Sequence, residues 1–186
     1  NPTSLTITGQ TLNVVGAVTF GNPSANAGDQ TLTIGTGTLN CASITMPETG
    51  ANNEILTISI SSGTINCTGN ISMLTGTAAR NVITFTGAGT INVGGDFTGT
   101  GTFTCGTGTV NYNGSGAQSV GPYTYYNFTT SNSGTKTLSG AITVRSLAIQ
   151  GTTTLASNTY SITGNAAGTM TMAAGTFLTL VNTGNA

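Results

Sequence analysis

The chain has no histidine, no tryptophan, and only three basic and four acidic residues among 186. Each shortage closes off chemistry. Without histidine, a serine or cysteine nucleophile has no imidazole base to activate it. Zinc loses its usual nitrogen ligand as well. Arg80, Lys136 and Arg145 are too few and too scattered to neutralise a run of phosphates, so nucleic acid is not an expected partner. No stretch of about 20 apolar residues exists, so no membrane-spanning helix is expected. No segment reads as a signal peptide, and the chain is expected to be a mature product or an excised fragment. Cysteine is sparse and odd in number: Cys41, Cys67 and Cys105. They form no C-x-x-C pair, and the expected role of each is a small buried hydrophobe, with their disulfide state left open. No cofactor is expected.

The acids are equally thin. Asp29, Glu48 and Glu54 fall in two long polar loops, "GNPSANAGDQ" and "PETGANNE", and are the one acidic constellation the chain offers. Glycoside hydrolysis needs two acids facing one bond, about 5–10 Å apart. The expected role of these three is solvated loop charge, with a cation or catalytic site as the sharper alternative. The lone "VGGDF" at Val93–Phe97 does not make a calcium-binding repeat. The chain is read as a non-enzyme.

What is abundant is glycine, 28 residues of it, together with Thr, Ser and Asn. Low-complexity disorder pairs low hydrophobicity with high net charge. Here 37% of residues are hydrophobic, the net charge is −1, and apolar residues alternate with Thr and Ser. That pattern predicts an ordered all-β chain. Near-zero net charge also leaves little repulsion between copies.

A phrase returns. "GTLNC" starts at Gly37, "GTINC" at Gly63 and "GTINV" at Gly89, 26 residues apart. "GTVNY" follows at Gly108, and "TLNV" at Thr11 obeys the same grammar. Alternating segments flank each copy: "TLTI", "ILTISIS" and "ITFT" before, "SITM" and "NISM" after. Three short strands per repeat, with glycine corners, predict a single parallel β-solenoid (β-helix) of about eight coils over residues 1–186. Residues 1–114 form regular coils of about 26 residues, and 115–186 an aromatic-containing stretch with shorter coils. The spacing of "GTKTL", "GTTTL" and "GTMTM" from Gly134, Gly151 and Gly168 predicts coils of 17 residues there. An antiparallel β-sandwich is the alternative, but its strands need not repeat one ordered phrase.

Strand alternation then assigns faces. Leu12, Leu39, Ile65, Ile91 and Val110 should form one interior file, and Val14, Cys41, Cys67, Val93 and Tyr112 the next. Asn13, Asn40, Asn66, Asn92 and Asn111 should form an outward stacking ladder, with amides hydrogen-bonded between coils. In "YTYYNF", Tyr123 and Tyr125 should share one face, and Tyr126 and Phe128 the other. One pair is core; Tyr123 and Tyr125 are the candidate contact for a glycan or a neighbouring subunit. Neither end of the chain reads as a polar cap, and the one lysine, a usual guard against edge pairing, lies far from both. End-to-end self-association is therefore expected.

The run from Gly108 to Val144 resembles repeats in large secreted, Bacteroidota-type cell-surface β-helix proteins. Those repeats carry G-T-V-x-Y-N-G-x-x-x-Q-x-[VI], then Y-Y-N-L-x-[LVI] and G-x-K-T-L. The matching residues are Gly108, Thr109, Val110, Tyr112, Asn113, Gly114, Gln118, Val120, Tyr125, Tyr126, Asn127, Gly134, Lys136, Thr137 and Leu138. Phe128 stands for the usual Leu, and Thr130 for an apolar residue. The resemblance implies an extracellular or surface location and an adhesin-like or filament-forming role. A structural filament subunit is the expected function, with a glycan-binding adhesin module as the alternative.

Overall fold

The computed structural model describes residues 3–21, 28–48, 54–74, 80–165 and 167–180. Parts of both acidic loops lie outside these residues. The chain winds as a stacked series of coils. The first holds β1 (Thr3–Ile7), β2 (Thr11–Asn13) and β3 (Ala17–Thr19); the second β4 (Gln30–Ile34), β5 (Thr38–Cys41) and β6 (Ser43–Met46). The third holds β7 (Leu56–Ile60), β8 (Thr64–Cys67) and β9 (Ile71–Met73); the fourth β10 (Asn81–Phe85), β11 (Thr90–Val93) and β12 (Phe97–Gly99). The fifth is β13 (Thr102–Thr104), β14 (Thr109–Tyr112) and β15 (Gln118–Val120). Two coils of two longer strands follow: β16 (Thr124–Thr130) with β17 (Ser133–Leu138), then β18 (Ile142–Ile149) with β19 (Thr152–Ala156). The last contains β20 (Ile162–Gly164), β21 (Met170–Met172) and β22 (Phe177–Thr179).

Every strand pair is parallel, and each strand pairs with its counterpart one coil away. Three sheets result. The first is β1-β4-β7-β10-β13; the second runs β2-β5-β8-β11-β14-β16-β18-β20, with β21 also on β18; the third runs from β3 to β22. This is a parallel β-solenoid, and the hairpin pairing of a sandwich is absent among the described residues.

The returning phrase sits on itself. Leu39 pairs with Ile65 and Cys41 with Cys67; Ile91 pairs with Ile65 and with Val110. Inward residues of all three sheets make one continuous apolar core. The phrase opens with glycine for a steric reason. Gly63 turns the corner from first to second sheet directly on the corner below. A Cβ there would stand 2.5 Å from the Gly37 carbonyl oxygen and 2.7 Å from the Ile34 Cγ2.

The coil length changes partway. Asn66 follows Asn40 by 26 residues, but Asn111 follows Asn92 by only 19. This shortening falls between the third and first sheets, where β13 starts only three residues after β12 ends; the first corner shortens in the next two coils. In β16, Tyr125 and Phe128 both point inward while Tyr126 and Asn127 stay half-exposed. In β18, Val144 and Leu147 point inward around Arg145 and Ser146. Two consecutive outward residues thus replace a whole glycine corner, and first and second faces merge into one bent strand, as at a bulge. The Arg145 guanidinium lies 4.5 Å over the Tyr126 ring, bracing this corner between neighbouring coils.

The expected 17-residue period is corrected. Gly134 pairs with Thr153, not Gly151, so the register is 19. The "GTMTM" segment does not continue that column either, since Met170 and Met172 pair with Leu147 and Ile149 in the second sheet. What fixes the register is the inward set, with Lys136 against Leu155, and not the look-alike glycines.

Candidate functional site

Three features were open to chemistry: the asparagine file, the tyrosines and the acids. The asparagines occupy one outward file of the second sheet, in register. Asn40 Nδ2 donates to Asn13 Oδ1 at 2.6 Å, Asn66 to Asn40 at 2.8 Å, Asn92 to Asn66 at 2.8 Å, and Asn111 to Asn92 at 3.0 Å. Ser131 Oγ then donates to Asn111 Oδ1 at 2.8 Å. The amides run one way like a zip, because each has a donor on one side and an acceptor on the other. A parallel file of Thr11, Thr38, Thr64, Thr90 and Thr109 lies beside it.

The tyrosine shelf is corrected. Tyr125 is 1% exposed and sits in the core. Its hydroxyl meets that of Tyr112 at 3.0 Å and donates to the Gly121 carbonyl at 2.8 Å. Tyr123 is half-buried and donates to the Gly99 carbonyl at 3.0 Å. Phe85, Phe97, Phe103, Tyr112, Tyr123, Tyr125 and Phe128 pack as one aromatic block with neighbouring centroids 4.9–6.5 Å apart. Desolvation pushes the pKa of Tyr112, Tyr123 and Tyr125 above the ordinary phenol range. Strict alternation had put Phe128 opposite Tyr125; the two-residue corner in β16 turns both inward.

The acids do not assemble. Asp29 is exposed, and its Oδ1 accepts the Ile55 N–H at 2.9 Å. Glu48 is exposed, whereas Glu54 is buried with Oε2 lacking a protein partner. No group of three or more His, Cys, Asp or Glu side chains suited to a metal ion forms among the described residues.

Cys41 and Cys67 are stacked, buried and free, and Cys105 is also free. A hydrogen bond to Cys67, reinforced by burial, holds the Cys41 thiol proton well above the ordinary thiol range. The same hydrogen bond draws Cys67 below the ordinary thiol range, but both thiols are buried and lack the electropositive, open setting that nucleophilic cysteines need.

Sequence reasoning missed a buried polar column at the corner between second and third sheets. Gln118 Nε2 donates to the Val93 carbonyl at 3.0 Å and to that of Gly95, while Gln118 Oε1 accepts the Gly114 N–H at 2.9 Å. Lys136, its partner in register, is fully buried. Its ammonium donates to the carbonyls of Gly114 (2.7 Å), Ser133 (2.9 Å) and Gly116 (3.0 Å). Burial draws its pKa below the ordinary lysine range. Next in the column, Thr130 and Thr153 share a hydroxyl hydrogen bond of 2.8 Å. The signal was present: polar residues at inward positions of an otherwise apolar alternation.

Both end coils of the described chain are open. A mouth of about 250 Å³ between β1, β3 and β4 is lined by Leu5, Val18, Phe20 and Leu32. One of about 300 Å³ at the other end is lined by Leu147, Ile162, Met170, Leu178 and Leu180. Leu5 and Met170 are each 52% exposed. No helix among the described residues is long and apolar enough to cross a membrane. Compared with protein families, characterised proteins and solved structures, the chain matches none.

Proposed function

We propose that the chain is a structural, non-catalytic subunit of an extracellular filament or surface matrix, joined end to end through its terminal coils. The observation that carries this reading is the pair of open apolar mouths. At both, strand edges lack a partner coil among the described residues, and residues of the inward files such as Leu5 and Met170 are exposed for want of a layer above them. All strands run parallel, so one end of a copy presents donors and acceptors in the sense that the other end accepts. Strand addition of this kind is head-to-tail and does not close into a dimer. Seven formal charges leave little to oppose it. The likeness of residues 108–144 to secreted surface repeats supports an extracellular setting. The glycan-binding alternative loses its footing because Tyr125 is in the core and Tyr123 is half-buried.

The test is assembly. Sedimentation and negative-stain microscopy over a concentration series should show rods lengthening with concentration. Lysine at Leu5 and Met170 should hold the protein as single short particles. Wild-type protein that stays short and uniform at high concentration overturns the proposal.

A further inference from the structure

The outward face of the first sheet is unlike the other two. Register places Ser4, Thr31, Thr57, Val82 and Thr102 in one file and Thr6, Thr33, Ser59, Thr84 and Thr104 in the next. Nine of these ten positions carry a hydroxyl, none is charged and none is aromatic. All are half-buried or exposed. Within a file the spacing is that of neighbouring strands, about 4.8 Å; between files it is two residues along a strand, about 6.7 Å.

We propose that this face is an ice-binding surface, its ligand a crystal plane of water. The argument is geometric first. Oxygen rows on the prism planes of hexagonal ice repeat on the same two length scales, along two perpendicular directions. Five coils offer five rungs in register, spanning about 19 Å along the axis. Chemistry agrees. Each threonine presents a hydroxyl that donates and accepts and a methyl that does neither. Water beside the methyl is held in an ordered, cage-like layer, while the hydroxyl anchors that layer to the protein. Because threonine is β-branched, identical strand surroundings hold successive side chains in one rotamer, so the array is organised before ice arrives.

Other occupants fit poorly. A sugar polymer calls for exposed aromatic rings, and these files have none. Phosphates or an anionic membrane call for basic residues, and these files have none. The second sheet carries Thr-x-Asn files in register too. Their asparagines carry no methyl, and their amides are already bonded to one another.

The face lies parallel to the solenoid axis, so it stays open whether or not coil ends are paired. Its failure is thereby separable from failure of the filament reading. The experiment uses the whole chain in dilute solution. Wild-type protein should be taken up into a slowly growing ice hemisphere, shape ice crystals into facets, and open a gap between melting and freezing temperatures. Thr57→Lys and Thr33→Lys, each outward-facing at the centre of the array, should lose the uptake and the gap while keeping the wild-type circular dichroism spectrum. Thr64→Lys on the second sheet should keep both activities. Exclusion of the wild type from ice overturns the proposal, as does equal loss in Thr64→Lys. Should Thr57→Lys fail to fold, Thr33→Lys and the wild-type measurement still decide.

Discussion

Replacing Lys136 with methionine tests the least expected feature of the interior. The ammonium is fully buried and held by three carbonyl oxygens at 2.7–3.0 Å. Methionine fills nearly the same volume but donates nothing. The Gly114 carbonyl lies at a buried residue, and leaving it unsatisfied costs about 1–3 kcal/mol. Gly116 is exposed and Ser133 half-buried, so their carbonyls can turn to water at smaller cost. Against this, the wild type carries the desolvation penalty of a buried cation, which methionine removes. The balance is a loss of about 1–2 kcal/mol for Lys136→Met, since the orphaned Gly114 acceptor outweighs the relieved charge. Lys136→Gln should recover part of it, because an amide already performs this task at Gln118 one coil below. Urea unfolding followed by circular dichroism measures the difference. A second readout needs no variant. Lys136 is the one lysine in the chain, so acylation of its amine in native protein should proceed only as fast as the fold opens. A Lys136→Met protein as stable as wild type, or a native Lys136 that acylates like a free lysine, would refute the carbonyl cage.

Other consequences can be checked on the same protein. Gly63→Ala should cost at least about 2 kcal/mol, since its Cβ would meet backbone oxygen and not a flexible tip; an unchanged urea midpoint would show that the corner can shift. Alkali should unfold the chain through Tyr112, Tyr123 and Tyr125. Their folded pKa values are raised by burial, so their stabilisation is intact below the unfolded value near about 10 and lost as pH climbs above it, by up to about 1.4 kcal/mol per tyrosine per pH unit. Tyrosinate absorbance should therefore rise together with loss of the circular dichroism signal. If these three of the five tyrosines ionise before the fold is lost, their burial is wrong.

The parallel stacking was legible because the phrase from Gly37 to Cys41 carries both requirements at once. Its glycine is demanded by the corner, and its Leu-x-Cys alternation by the core. Wherever both recur together, register follows. The short coils broke that link. At Gly134 and Gly151 the glycine recurs without the matching inward residue, and the register obeys Lys136 and Leu155. The tyrosine faces failed for a related reason. Alternation assumes an unbroken strand, and nothing in "TYYNF" marks Tyr126 and Asn127 as a corner. Only the packing of Tyr125 and Phe128 against the aromatic block settles it.

The buried polar column satisfies the corners between the second and third sheets. A corner exposes carbonyls to the interior, and each needs a donor. At the third coil, the Cys67 thiol faces the carbonyls of Gly69 and Asn70 at 3.4 and 3.5 Å, a weak arrangement for a wide corner. Gln118 then serves the corner of the fourth coil, and Lys136 that of the fifth. Asn81 does the same between third and first sheets, donating to the carbonyls of Met46, Pro47 and Leu74 at 2.8–3.1 Å. The donor number rises from thiol to amide to ammonium along the corners of the third, fourth and fifth coils. The donors of Gln118, Lys136 and Asn81 are thus consumed by the solenoid's own backbone. Chemistry toward a partner is left to the outward files and to the end coils, which is where both proposals place it.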